Sequence, residues 1–375
     1  MNPGRPIGVS FVVLLIGLSS TSNAQQEPDG ADPHDARWGS PASLRDLLAM
    51  PAERIGEVDI ARLNLLCAEG LPGAEQLDVT GTLTKLDLWA KWVKHETDRH
   101  LYRLEDPRYA KDYGGSQARL RCELLVEVLQ KDFRVRYNPE RAADSSWRDS
   151  RDLFLRGLVA EGQGGTCLSM PALYVAVGRR LGYPMFLVPA KSYVFCRWEG
   201  PDECLNMDGS TERGVGFEDD DFYRVWPHII SEKEESEGGY LQSLAPRKEL
   251  ALFLHARGVC LCANGRLREG YQWQVAASRL MPHSAFIREK LVTTEKLLRR
   301  AEAIFRQQRQ LMDVNSIFEE ARRTREASDQ ILRGFLPQIE PGFGIPVQPA
   351  RPSLPGLTPP IGGGYQDPRT PRPGP

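Results

Sequence analysis

A glycine-rich entry into a helix constrains this chain more than any other stretch: Gly162-Gln163-Gly164-Gly165-Thr166-Cys167-Leu168-Ser169-Met170-Pro171. Paired glycines let a backbone take positive φ or pass close to another group. Thr166 is a residue type that caps helices, and Pro171 is tolerated only while it stays in a first turn. Leu173, Val177 and Leu181 then repeat at helical spacing, with Ala172, Val175 and Ala176 beside them, until Gly182-Tyr183-Pro184 stops the helix. Cys167 is therefore expected at a helix N-terminus, where free N–H groups and the dipole favour a thiolate and could stabilise an oxyanion. A small buried cysteine kept for packing is the plainer reading of the same position.

Downstream of that helix the period changes from 3.6 to 2. Met185 to Val188, Tyr193 to Trp198 and Leu205 to Asp208 read as strands, and Glu199-Gly200-Pro201-Asp202-Glu203 as the turn that makes the last two a hairpin. Upstream, Val135-Arg136-Tyr137-Asn138-Pro139 is an extended piece ending in a turn, and 149 to 160 read as helix. Apolar faces at Ile60, Leu63 and Cys67, at Leu83, Leu86, Ala90 and Val93, and at Leu120, Leu124, Leu125 and Val128 give three earlier packing helices. Helices followed by an antiparallel sheet make an α+β fold.

The residues from Gly165 to Pro171, then Tyr174-Val175-Ala176-Val177-Gly178-Arg179-Arg180-Leu181-Gly182-Tyr183-Pro184, resemble the transglutaminase-like superfamily. The similarity runs on through Phe195-Cys196-Arg197-Trp198 and Leu205-Asn206-Met207-Asp208 and covers roughly residues 59 to 282. Bacterial members with a helical lead-in and trailing tetratricopeptide-like helices are the most similar. The resemblance implies a papain-like core in which the Cys167 helix packs on an antiparallel sheet between N- and C-terminal helices. It also implies a catalytic row of thiol, histidine and acid. Cys167 matches the thiol and Asp208 the acid, but Tyr193 stands where the family has histidine. An imidazole takes a proton at about pH 6.5, whereas a phenol loses its own only at about pH 10. Such a row is impaired for acyl transfer. His228, in Trp226-Pro227-His228, and Lys191 are the two conceivable replacement partners. If Tyr193 faces Asp208 across the hairpin, Cys196 falls opposite Leu205; a Cys196–Cys204 disulfide would need Tyr193 opposite Met207, so the bridge is not expected.

The remaining stretches frame this core. Arg5, the apolar run Gly8 to Leu18 and Ser22-Asn23-Ala24 read as a signal peptide cleaved after Ala24, giving an exported, periplasmic or secreted protein with no integral membrane segment after cleavage. Residues 25–40 read as a flexible lead, 41–112 as a helical lead-in and 113–235 as the core. Residues 240–335 read as tetratricopeptide-like and long helices, and 336–375 as a disordered Pro-rich tail. Gly258, Leu261, Gly270, Ala277 and Pro282, with an Asn264-Gly265 turn, match one tetratricopeptide unit. Leu291, Leu297, Leu298, Ile304 and Leu311 make an incomplete stripe, for which intramolecular packing is favoured over a dimer seam because the heptads are irregular. Asp219-Asp220-Asp221 and the acidic run Glu232 to Glu237 read as solvated faces.

A net charge of −2 over 375 residues argues against nucleic-acid binding. Seven cysteines leave at least one unpaired. The Cys260–Cys262 spacing splays two side chains on a helix, so neither a metal nor a cofactor is expected. His95 and His100 lie in a charged stretch as solvated side chains. Two functions follow: a binding or scaffold module that has lost its chemistry, holding a peptide or protein ligand, or a cysteine-dependent acyl hydrolase or transferase with Cys167 as nucleophile.

Overall fold

Apolar residues at helical spacing build the first half of the molecule. Helix α1 (Ile60–Cys67) is buried along its whole length and capped by Asp59, whose carboxylate accepts from the Ala61 and Arg62 N–H groups. Helix α2 (Val79–His100) turns Leu83, Leu86, Ala90 and Val93 inward, and α3 (Gln117–Lys131) does the same with Leu120, Leu124, Leu125 and Val128, as their spacing predicts. The computed structural model describes residues 41–143, 147–159, 162, 164–211 and 214–335. The leader, the flexible lead and the Pro-rich tail expected for 1–40 and 336–375 lie outside the described residues.

Helix α4 (Ser169–Arg180) is the centre of the fold. Its residues Ser169 to Gly178 are all buried, because it touches α1, α2, α3 and three strands at once. A helix apolar all round requires such a position. Gly178 lies so close to Met185 that a Cβ would meet its sulfur, and Gly182, at φ +76, closes the helix. The C-terminus of α4 is tied down electrostatically: Arg180 pairs with Asp59 at 2.9 Å and with Asp87 at 2.8 Å.

The sheet is an antiparallel meander, β1 (Met185–Ala190), β2 (Tyr193–Glu199), β3 (Cys204–Thr211) and β4 (Gly214–Gly216), in that order. The fold is thus α+β, rich in helix with one small antiparallel sheet. The free side of β1 is covered where the Leu241 and Leu244 N–H groups donate to the Pro189 and Leu187 carbonyls, both at 2.9 Å. The β2–β3 register differs from both expected registers: Cys196 faces Met207 and Glu199 faces Cys204. Four residues, Gly200 to Glu203, make the connection, and this longer loop keeps Pro201, which has no N–H, out of the ladder. The shift from the first register is two residues, so every side chain keeps its face. Cys196 and Cys204 lie three rows apart and cannot be bridged.

Residues 149–160 are not one helix. Ser150–Leu153 and Leu155–Val159 are separate turns, broken where Phe154 takes extended angles. Helices α5 (Asp220–Val225) and α6 (Glu232–Gly238) follow the sheet, and α7 (Pro246–Ala263) and α8 (Leu267–Leu280) form a hairpin at the Asn264-Gly265 turn. Gly258 and Gly270 face each other there: a Cβ on either would meet the other's carbonyl oxygen at 2.7 or 2.6 Å. Leu47, Leu63, Leu125, Leu173, Phe253 and Ala277 belong to one contiguous core, so this hairpin packs on the same interior as the lead-in helices and the sheet.

The last helix, α9 (Ala285–Phe335), departs from the expected packing. Its first turns dock through Ile287 and Thr294, and Arg268 on α8 reaches Glu302. Beyond that contact its described side chains are exposed, with Ile304 at 57% and Phe318 at 69%. Among the described residues no helix is long and apolar enough to cross a membrane.

Candidate functional site

The glycine-rich entry is held by its neighbour in space. Gly165 forms a parallel bridge with Tyr137, its N–H donating to the Arg136 carbonyl and its carbonyl accepting from the Asn138 N–H, both at 2.9 Å. Gly164 sits at φ +86, and a Cβ on Gly165 would lie 2.8 Å from both Leu158 and Met170. These two positions need glycine for conformation and for space respectively.

One expectation about the helix entry is corrected. Thr166, buried, sits at the turn into α4: its hydroxyl donates to the Asp152 carbonyl at 2.8 Å and accepts from the Leu168 N–H at 3.4 Å. Its carbonyl accepts from the Met170 N–H at 3.1 Å, and Leu168 itself makes no side-chain cap. Cys167 lies two residues before the first helical residue, Ser169. The helix terminus is worth about 1 kcal/mol to an anion, less than one unit of pKa, and it fades within a turn. Burial wins: enclosed by protein and near the negative Asp208, the Cys167 thiol is pushed up to about 12 rather than down. The residue is nonetheless part-exposed, and it lines a cavity.

The three residues that the resemblance assigns to a row do come together. The Tyr193 hydroxyl donates to Asp208 Oδ2 at 2.8 Å, with both residues buried. In the observed register Asp208 is diagonal to Tyr193 rather than opposite it, within the reach of a long aromatic side chain. Cys167 and Tyr193 line one cavity, and the charge of Asp208 is felt at both. Burial first, and then Asp208, raise the Tyr193 phenol well above its ordinary value. Tyr193 is thus a neutral donor, not a base. No side chain among the described residues hydrogen-bonds the Cys167 sulfur. Neither replacement partner is present: His228 is exposed away from the cavity, and Lys191 pairs with Glu234 at 2.6 Å.

A shell of aromatics holds Tyr193 in place. Its ring meets Trp226 edge-on at 4.7 Å, while Phe195 stacks on Tyr223 at 3.8 Å. Helix α5 delivers Tyr223 and Trp226, and it is anchored through the acidic run that sequence reasoning left as a solvated face. Asp219 caps Phe222, and Asp220 accepts from Arg197 and from the Asn206 amide. Arg197, buried on β2, also donates to Asn206 Oδ1 at 2.7 Å and to the Leu241 carbonyl at 2.9 Å.

Sequence reasoning missed the far wall of the cavity, His255 included. The space, about 270 Å³, is bounded on one side by Cys167 and Tyr193 and on the other by α7, which contributes Leu252, His255, Ala256 and Val259. These four fall at i, i+3, i+4 and i+7 and so share one helix face. That spacing was the available signal. Burial lowers the His255 imidazole to about 4, so it is neutral at ordinary pH.

No family model matches the sequence, and neither a curated protein nor a solved structure shows significant similarity to it. The transglutaminase-like resemblance is carried by the residues of this chain alone. Among the described residues no group of three His, Cys, Asp or Glu side chains is placed to hold a metal ion.

Proposed function

We propose that this is an exported transglutaminase-like binding module whose Cys167 row is catalytically impaired, and that its ligand, a group of a peptide or protein, enters the cavity above Cys167. The observation that supports this reading is the 2.8 Å bond from the Tyr193 hydroxyl to Asp208, in a site where, among the described residues, no base hydrogen-bonds the thiol. Acyl transfer through a cysteine needs the thiolate as nucleophile and a partner to take the thiol proton. A thiol pushed up to about 12 is ionised in only about one molecule in 10⁵ at pH 7. A hydrogen-bonded phenol raised above its ordinary value removes no proton from it. What is left is a small cavity with mostly apolar walls and a few polar atoms, which is the make-up of a binding site.

The test is the pH dependence of Cys167 alkylation by iodoacetamide, followed by peptide-resolved mass spectrometry so that the exposed Cys204 does not interfere. Cys167 is expected to stay unmodified below about pH 9, and a Tyr193→His variant to gain a reactive thiolate near neutrality. A wild-type thiolate titrating well below about 8.5 would overturn this reading in favour of a cysteine acyl hydrolase or transferase.

A further inference from the structure

Three aromatic side chains, Trp147, Tyr193 and Phe286, line the cavity together with Leu153, Leu168 and Leu252. Its charged contributions, Glu289 and Lys290 on α9, cancel, so it has no net charge to attract an ion. His255 is the polar feature of the wall opposite Tyr193. It is 5% exposed, its ring lies edge-on to Phe286 at 5.5 Å, and its Nδ1 has no hydrogen-bond partner among the described residues. No partner of Nε2 is present among them either, and Nδ1 is enclosed, which leaves Nε2 as the ring nitrogen able to meet a guest in the space that the ring lines.

A guest hydroxyl at Nε2 would supply a hydrogen bond to a buried ring that has none among the described residues. The other polar group of the wall is not available in the same way, because the Tyr193 hydroxyl already donates to Asp208. We infer that the cavity is a binding site for an uncharged phenol-type group, whose ring packs among Trp147, Tyr193 and Phe286 and whose hydroxyl hydrogen-bonds His255. The inference rests on the binding-module reading above and names the ligand chemistry that reading leaves open. The aromatic walls favour a ring, offset or edge-on to their own. The neutral imidazole favours a hydroxyl, which can donate or accept and so suits either tautomer. Neither group requires an ionised ligand.

The test compares p-cresol with toluene, equal in shape but for one hydroxyl, by ligand-detected NMR titration of the full chain, and repeats both with His255→Phe. In the wild type p-cresol is expected to bind at least as tightly as toluene, although it loses more hydration on entry. In the variant p-cresol should weaken about tenfold or more while toluene stays within about twofold, since a buried hydroxyl is then left unpaired. A reading that needs no folded variant is the ¹⁵N spectrum of the His255 ring in the wild type. A ring-nitrogen shift on adding p-cresol and none on adding toluene supports the assignment. N-acetyl-tyrosinamide, as a third probe, separates the sources. Binding as tight as p-cresol assigns a phenol presented on a peptide, and weaker binding assigns a free one. If both aromatics bind equally and leave the histidine nitrogens unmoved, the His255 assignment is overturned while the cavity remains a binding site. If neither p-cresol nor toluene binds the wild type, the binding-module reading itself fails.

Discussion

Replacing Tyr193 with Phe isolates a single bond at the site. The variant keeps the ring between Trp226, at 4.7 Å, and Tyr223, at 6.5 Å, and removes only the hydroxyl that donates to Asp208 at 2.8 Å. Donor and acceptor are 8% and 6% exposed, so water does not replace the lost bond. A hydrogen bond to a charged group contributes about 1.5–3 kcal/mol, and the buried carboxylate loses this donor. A loss of about 2 kcal/mol at pH 7 follows, or roughly 3 °C in melting temperature for a chain of this size. Urea titration followed by circular dichroism should show the midpoint fall with an unchanged slope. A double-mutant cycle with Asp208→Asn then separates the pair from its surroundings.

The pH dependence of that difference carries a sign. Tyr193 has a folded-state value raised above its unfolded one, first by burial and then by Asp208. Its contribution is therefore complete below the unfolded value of about 10 and is lost as pH rises through the higher folded value. Wild type and Tyr193→Phe should converge in stability above about pH 10. A variant within about 0.5 kcal/mol of wild type at pH 7, or one additive with Asp208→Asn, would refute the assignment of this bond as an anchor of the site.

Two further outcomes follow from the framework around the site. Arg179 on α4 pairs with the fully buried Glu249 on α7 at 2.6 Å, and burial raises the Glu249 carboxyl while Arg179 alone counters it. Arg179→Met should destabilise by about 3–5 kcal/mol at pH 7. Because the folded Glu249 value then rises further above the unfolded one, the deficit should shrink on acidification toward the ordinary carboxyl range; a deficit independent of pH, measured by urea titration, counts against it. Ending the chain at Ala303 removes the part of α9 whose described side chains are exposed and keeps the Arg268–Glu302 pair. Its melting temperature should match that of the full chain to about 1 °C, as for surface changes generally, and a drop of several degrees would show that the distal helix packs on the domain.

How much of this was legible in the sequence depended on range. The glycines at 164 and 165, the stop at Gly182 and the strand periods are local signals, and each acts where it stands. The place of Cys167 was not, because helix-terminal stabilisation is local but desolvation depends on what α7 and α9 lay over the thiol. The hairpin register was misjudged by two residues since alternation alone fixes faces, not rows, and Pro201 lengthened the turn. Asp220 read as a solvated charge because its partners, Arg197 and Asn206, lie on strands 14 or more residues away in the chain. His255 was invisible for the same reason. It belongs to a helix that reaches the cavity only through the core shared by α1, α4 and α7.

The burial that raises the thiol also bears on how far this site stands from chemistry. A lone thiolate is opposed by low dielectric, but a thiolate beside an imidazolium is not, because their attraction grows as solvent is excluded. Asp208, held 2.8 Å from the group at 193, is already placed to orient an imidazole there and to stabilise its charge. The aromatic shell of Phe195, Tyr223 and Trp226 adds packing that does not depend on the hydroxyl. A histidine at 193 would therefore inherit its orienting acid, its dry surroundings and its thiol partner. The impairment proposed above would then lie in one residue, which is why alkylation of Tyr193→His, rather than any change at Cys167 or Asp208, is the decisive comparison.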